Sequence, residues 1–462
     1  MPTSRAAQDA DDGATRQQVK RQPDELSEQG LAGDAGTVHL RILVCQKVYV
    51  KSEKKSWTCR AQSKCYARAG MKLLIYSHFF APSIGGVETV VQLLASGLAE
   101  LRTSTGVRNF EVTLVTQTEA RNCDDRELSF GVIRHPSFLE LWRLIGETDR
   151  VLLAGPAILP LLFSLLRGKT AVVTHHGYQV VCPNGMLFQF APRTICPGHF
   201  AAKRYGECLR CNAPQEGWLG SFRLLLLTFV RRGLARRASI NVGVSENVAR
   251  KVALPDLRII RNAVPDFEGS ANGMQLQVDA RGTPSFAYIG RLVTEKGVRV
   301  LLEAAGLLAQ EGLKPPISII GDGPERQALE QQKVSLKLGE NVAFLGFQHR
   351  PALEEHMMRV DVLVMPSLCE EVAPLSVLEM MMQGRLIIGS KIGGLAEQLA
   401  ETGLTFAPGD ASALASCMQE VIKKPDLVTR LGVQARARAL QFYSLGRMTS
   451  DYRNLIDTTP KA

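Results

Sequence analysis

The chain has 462 residues, more than one hydrophobic core usually organises, so two domains are expected. Hydrophobic residues make up 45% and charged residues 22%, which excludes a disordered or collagen-like chain. The formal charge of +10 points to an anionic partner such as a nucleotide or a lipid phosphate, whereas the interleaved basic and aromatic clusters of a nucleic-acid binder are missing and no nucleic acid is expected.

Residues 1–70 differ from all that follows. The first 36 are polar and without helical or strand period, and HLRILVCQKVYVKSEKKSWTCRAQSKCYARAG adds one short apolar run among basic residues and cysteines. This segment is expected to be an unstructured extension or an over-long translation start. The beginning MPTSRAAQDADDG has no apolar signal core, and no later stretch reaches the roughly 18 apolar residues of a membrane span. The expected location is cytoplasmic, with a peripheral place on the cytoplasmic membrane face as the variant.

From Met71 short apolar strands alternate with helical sequence. LLIYS, EVTLVT, DRVLLAG and TAVVTHH read as strands, and residues 88–101 repeat apolar side chains at helical spacing after the loop PSIGGVE. Such a βαβ series predicts a parallel sheet, here over residues 71–255. The sheet is interrupted by an insertion, 182–211, holding Cys182, Cys196, Cys208 and Cys211. One CxxC knuckle with two outlying cysteines fits a closed structural zinc; reduced core thiols or a disulfide are the competing readings. The following stretch FRLLLLTFVRRGLARRA, residues 222–238, joins leucines to Arg223, Arg231, Arg232, Arg236 and Arg237. It reads either as a helix lying on an anionic membrane or as a buried amphipathic helix with an arginine end.

A junction is expected around 245–275, where VSENVARK leads into RNAVPDF and a polar run. A second series, 275–425, begins with SFAYIG and continues through PISIIGDG, NVAFLGF, DVLVMPS and RLIIGS. The expected fold class is therefore α/β, two doubly wound parallel sheets, with ligands beyond the carboxyl ends of the strands. Residues 426–462 are expected to be helical and to return to the N-terminal domain.

Two segments at such strand ends carry chemistry. In GRLVTEKG, residues 290–297, glycines admit a close backbone while Arg291 and Lys296 can neutralise a leaving diphosphate. In EEVAPLSVLE, residues 370–379, a helix opening near Pro374 or Leu375 turns the free amides of Leu375 and Ser376 toward a phosphate, with Glu371 before the helix and Glu379 within it. Either glutamate by itself could equally serve the helix dipole.

Taken in order, the loop PSIGGVE, GRLVTEKG, the turn GDGPE at 321–325 and a glutamate pair with seven residues between them resemble the family-four retaining glycosyltransferases of GT-B fold, glycosyl transferases group 1, over about residues 71–455. The resemblance implies two facing Rossmann-like domains with an interdomain cleft, and sugar transfer from a nucleotide-diphosphate donor to a glycan or lipid-linked acceptor in cell-surface polysaccharide or glycolipid synthesis. By it Arg291 and Lys296 bind the diphosphate, Glu371 the transferred sugar and Glu379 the ribose, while Gly85 and Gly86 face the donor across the cleft. The family's histidine falls in AVVTHHG, where the usual spacing picks His176 and leaves His175 in reserve. Configuration would be retained and no cofactor required, cations and a helix N-terminus standing where a metal serves elsewhere. Val372-Ala373-Pro374 departs from the family's common Pro-Phe-Gly, which leaves the donor sugar open. A nucleotide-sugar epimerase or phosphorylase of the same fold, or a non-catalytic sugar-nucleotide-binding scaffold, are the rival readings.

Overall fold

The structure is a computed structural model that describes residues 70–460 apart from 84, 122–123 and 268–281. The expectation for the segment 1–70 falls outside the described residues, save Gly70.

The first half runs β1 (Met71–Ser77), α1 (Gly86–Glu100), β2 (Phe110–Thr116), β3 (Gly131–Arg134), α2 (Phe138–Glu147), β4 (Arg150–Ala154), α3 (Ile158–Leu166) and β5 (Thr170–His175). After a two-stranded hairpin, β6 (Phe188–Gln189) with β7 (Thr194–Ile195), come α4 (Tyr205–Ala235), β8 (Ile240–Gly243), α5 (Glu246–Val252) and β9 (Leu257–Ile259). Seven strands form one parallel sheet in the order β3-β2-β1-β4-β5-β8-β9. Alternation along β1 serves both faces. Leu73 and Ile75 pack with α1 through Val90, Leu94 and Leu98, while Leu74 and Tyr76 pack with α2 and α3 through Leu141, Ile145 and Leu161. Each such leucine contributes about 1.5–3 kcal/mol by leaving water. Ser137 caps α2 by accepting from the Glu140 amide at 3.2 Å, a local reason for the helix to begin there.

The second half contains β10 (Phe286–Ile289), α6 (Val298–Gln310), β11 (Ile317–Ile320), α7 (Arg326–Ser335), β12 (Val342–Gly346), α8 (Arg350–Met358), β13 (Val362–Met365) and α9 (Leu375–Met382). It continues with β14 (Leu386–Ser390), α10 (Gly393–Leu399), β15 (Leu404–Phe406), α11 (Ala411–Lys423), α12 (Asp426–Phe442) and α13 (Leu445–Thr458). Six strands form a second parallel sheet, β12-β11-β10-β13-β14-β15. In each sheet the strand order reverses beside its first strand, between β1 and β4 and between β10 and β13, the place where such sheets open a crevice. The fold is α/β with the GT-B arrangement of two parallel-sheet domains.

The last helices divide between the halves. Leu427, Val428, Leu431 and Ala435 of α12 belong to the core of the second sheet, whereas Met448, Tyr452 and Ile456 of α13 complete the core of the first. Tyr452 shares a 2.9 Å hydrogen bond with Thr174 of β5, and Arg150 donates to the Thr459 carbonyl at 2.7 Å. The chain thus crosses between the sheets twice, and the crossings lie together: the Val264 amide donates to the Tyr443 carbonyl at 3.1 Å, and Val264 and Ser444 pair as a parallel bridge.

α4 is two helices joined end to end. Pro214 lies within it and Gly217 breaks it with φ +69°, a conformation glycine adopts without strain.

Candidate functional site

The carboxyl ends of both sheets border one cavity of about 330 Å³. From the first sheet come Gly86, which opens α1, and His176, which follows β5; from the second come Arg291, Lys296, Glu371 and Leu375. Six residues named from the sequence therefore meet at one place. A Cβ on Gly86 would lie 3.8 Å from Leu375 Cγ, so the α1 and α9 N-termini face each other across the cleft.

The wall from the second sheet is shaped by close backbone contact. Gly297 stands at φ +68°, and a Cβ there would come within 2.0 Å of the Pro366 carbonyl. This proximity lays the loop after β10 against the loop after β13, so that Lys296 Nζ reaches Glu371 Oε1 at 2.6 Å. Ser367 Oγ donates to the same oxygen at 2.5 Å. Burial alone would lower the Lys296 ammonium, but the Glu371 carboxylate beside it outweighs that and holds its pKa above the usual lysine value. Arg291 is exposed at the rim and has no ion-pair partner among the described residues. Two cations and the free amides of α9, whose N-cap is Pro374, together make this wall receptive to a polyphosphate.

The two histidines separate in role. His175 ends β5 fully buried, its Nε2 2.9 Å from Asn241 Oδ1, and serves packing. His176 borders the cavity. Burial pushes its pKa down to about 4, helped by the neighbouring His175, so its ring is neutral at ordinary pH and can share a hydrogen bond with a sugar hydroxyl.

Other named residues stand apart. Gly85 is the extended N-cap of α1 and Ser376 the second residue of α9, and neither borders the cavity. Glu379 lies one turn deeper on α9, outside the cavity wall, bound to Arg350 of α8 at 2.5 Å.

Several residues at the site carried no role in the sequence reading. Glu370 is buried and receives Asn247 Nδ2 at 3.0 Å and Lys251 Nζ at 3.2 Å, both from α5. Asn247 also donates to Tyr178 Oη at 2.9 Å, and Glu397 of α10 bridges the Asn247 amide and Arg261 Nε at 3.2 and 3.1 Å. These bonds stitch the first sheet's α5 to the second half beside the cavity. The doubled glutamate was the available signal for Glu370; Asn262, which also borders the cavity, lies in RNAVPDF, a segment read only as a junction.

The zinc expectation finds no support. Cys182, Cys196 and Cys208 lie in one apolar cluster with Phe200 and Leu225, and Cys211 is 3.9 Å from Asn184 Nδ2. All four are free thiols, and among the described residues no group of three or more histidine, cysteine or acidic side chains is placed to hold a metal ion. Burial pushes the thiols of Cys182 and Cys208 up to about 11 and about 12, with neighbouring cysteines adding to the shift.

Residues 277–438 match the family described as glycosyl transferases group 1. Over 238 residues the chain is 31% identical to the 2-deoxystreptamine N-acetyl-D-glucosaminyltransferase of Streptomyces fradiae, covering 46% of this chain and 56% of that protein. It is 25% identical to the GDP-mannose-dependent alpha-(1-6)-phosphatidylinositol monomannoside mannosyltransferase of Mycolicibacterium smegmatis, over 80% of this chain and 94% of the other. The chain spans about half the length of the Streptomyces relatives it matches, 54–56%. Among solved structures, HepE of Anabaena in complex with UDP and glucose superposes with a TM-score of 0.62 at 17% identity, over 84% of this chain and all of that one, a likeness of fold.

Proposed function

We propose, for a chain whose residues 277–438 match the glycosyl transferases group 1 family, that it moves a sugar from a nucleotide-diphosphate donor to a glycan or lipid-linked acceptor with retention of configuration. The observation that carries the reading is the meeting of Gly86 and His176 with Arg291, Lys296 and Glu371 around one cavity between the carboxyl ends of two sheets. The donor's diphosphate lies against the α9 N-terminus at Leu375, with Lys296 and Arg291 neutralising the charge that grows as the glycosidic bond breaks. Glu371, fixed by Ser367, accepts from hydroxyls of the transferred sugar. His176, neutral, holds a further sugar hydroxyl from the opposite wall. Glu379 exchanges Arg350 for the ribose hydroxyls. The acceptor hydroxyl approaches on the face the diphosphate leaves, from the side of Tyr178 and Asn184. The residues of the chain supply the electrostatic stabilisation, so no cofactor takes part in the step.

Relatives differ in donor and acceptor: HepE was solved with UDP and glucose, and the mycobacterial relative is named for GDP-mannose and a phosphatidylinositol mannoside. That second name supports a lipid-linked acceptor and a role in surface glycolipid or polysaccharide synthesis.

The test is calorimetric binding of UDP, GDP and ADP and their common sugars to the wild type and Lys296→Ala, followed by proton NMR of the product's anomeric signal. One nucleotide should bind and lose affinity in the variant, and the product should keep the donor's anomeric configuration. Binding without acceptor-dependent turnover would favour the scaffold reading, inversion would remove the retaining one, and no binding would overturn the proposal.

A further inference from the structure

The second part of α4, residues 218–235, is turned the opposite way from an ordinary surface helix. Its inward residues are Ser221, Leu225, Thr228 and Ala235, spaced as one helical face, and both hydroxyls bond to backbone, Ser221 to the Leu209 carbonyl and Thr228 to the Leu224 carbonyl, at 2.7 and 2.8 Å. The large apolar side chains point outward: Trp218 is 66% exposed, Leu219 83%, Phe222 58% and Leu226 54%, with Phe229 and Val230 beyond them. A helix that only covered a core would bury these and expose the serine and threonine. The face extends sideways, because α3 lies against α4 and α2 against α3. Leu159 and Leu166 of α3 and Phe138 and Leu139 of α2 are exposed as well.

Charge says what covers this face. Residues 217–238 contain no acidic residue, and Arg223, Arg236 and Arg237 are exposed with no carboxylate partner among the described residues. Arg231 and Arg232 are half-buried, and Arg232 donates to the Val252 carbonyl at 2.9 Å, so the exposed charge is that of the other three. A second copy seated on residues 217–238 would meet no carboxylate within that stretch, the acids of α4 being Glu207 and Glu216 before it. A bilayer carrying anionic headgroups meets both needs at once, the acyl boundary for Trp218, Leu219, Phe222 and Leu226 and phosphates for the arginines. No helix among the described residues is long and apolar enough to cross a membrane, so α4 would lie in the interface.

We infer that α4, with α3 and α2 beside it, is a docking surface for an anionic lipid bilayer. The surface is independent of the cavity and of sugar transfer, and its test needs neither donor nor acceptor. The full chain is sedimented with phosphatidylcholine vesicles with and without phosphatidylglycerol, alongside Trp218→Ser/Leu219→Ser/Phe222→Ser and Arg223→Glu/Arg236→Glu/Arg237→Glu. The substituted side chains are exposed, so thermal melts of both variants should match the wild type.

The wild type should partition onto vesicles only with phosphatidylglycerol present, and each variant should lose about tenfold or more in partitioning. No binding to the anionic vesicles, or equal binding by the serine variant, would overturn the proposal. A concentration-dependent wild-type dimer that the serine variant dissociates, without vesicle binding, would overturn it in favour of a second copy.

Discussion

The two walls of the cleft differ in how much freedom their backbones keep. On the second sheet's side, Gly297 leaves a Cβ 2.0 Å from the Pro366 carbonyl and Gly394 one 1.8 Å from the Val372 carbonyl, so the loops around Lys296 and Glu371 have one arrangement. On the first sheet's side the nearest atom to a Cβ on Gly86 is 3.8 Å away, on a leucine of the other wall. One wall is locked backbone against backbone, and the other has room at Gly86. The match to the family follows the locked wall, residues 277–438.

The sharpest way to break this contrast is a pair of alanines. Gly297→Ala should cost more than about 4 kcal/mol, because backbone must move and the residue sits at positive φ, whereas Gly86→Ala should stay within about 1 kcal/mol of wild type in a denaturant melt. Equal losses would mean the walls are alike. Next in size, Lys296→Ala should lower turnover about 10²–10³-fold and lower the melting temperature, since Glu371 is left buried without its cation. Stopped assays and thermal melts read the two effects.

On the open wall His176→Ala should keep the fold and lower turnover by about 10²-fold. Its pH behaviour has a definite sign. His175 and His176 are both held near 4 by burial, against an ordinary value of 6.5. Their contribution is present above pH 6.5 and is lost as pH falls toward 4, because the unfolded chain takes up protons that the folded one refuses. Melting temperature should therefore fall between pH 7 and pH 5, and less so in His176→Ala. The smallest effect belongs to Arg350→Ala. Its ion pair with Glu379 is half-exposed and contributes at most about 1 kcal/mol, so nucleotide affinity should rise only a few-fold as Glu379 is freed, measured by calorimetry.

The locked wall was the more legible in sequence. EKG and the paired glutamates are short local patterns that need particular residues at fixed spacing, and the structure brings Arg291, Lys296 and Glu371 to one cavity with Gly86 and His176. Four strands of the first sheet and five of the second were readable, since near-continuous apolar runs such as LLIYS mark strands buried on both faces, while the short β3, β8, β9 and β15 were not named. The Tyr178, Asn247, Glu370 and Lys251 network was not legible, because its members lie far apart along the chain and none has a spacing signal. Nor was the outward turn of α4. A leucine run at helical spacing announces an apolar face but leaves open whether that face meets a core or the outside. The cysteines read as ligands by spacing alone, while packing puts Cys182, Cys196 and Cys208 in one apolar cluster.

The double crossing at Val264 and Ser444 also orders the events of synthesis. Everything from β10 to α12 is contiguous, so the second sheet can close its core as soon as it has left the ribosome. The first sheet, although made earlier, lacks Met448, Tyr452 and Ile456 until α13 emerges. Until then the face of β1 and α1 that receives them stays wet, and the half made first is the half finished last. A nascent chain halted before Leu445 should hold a folded second sheet beside a first sheet still open to a chaperone.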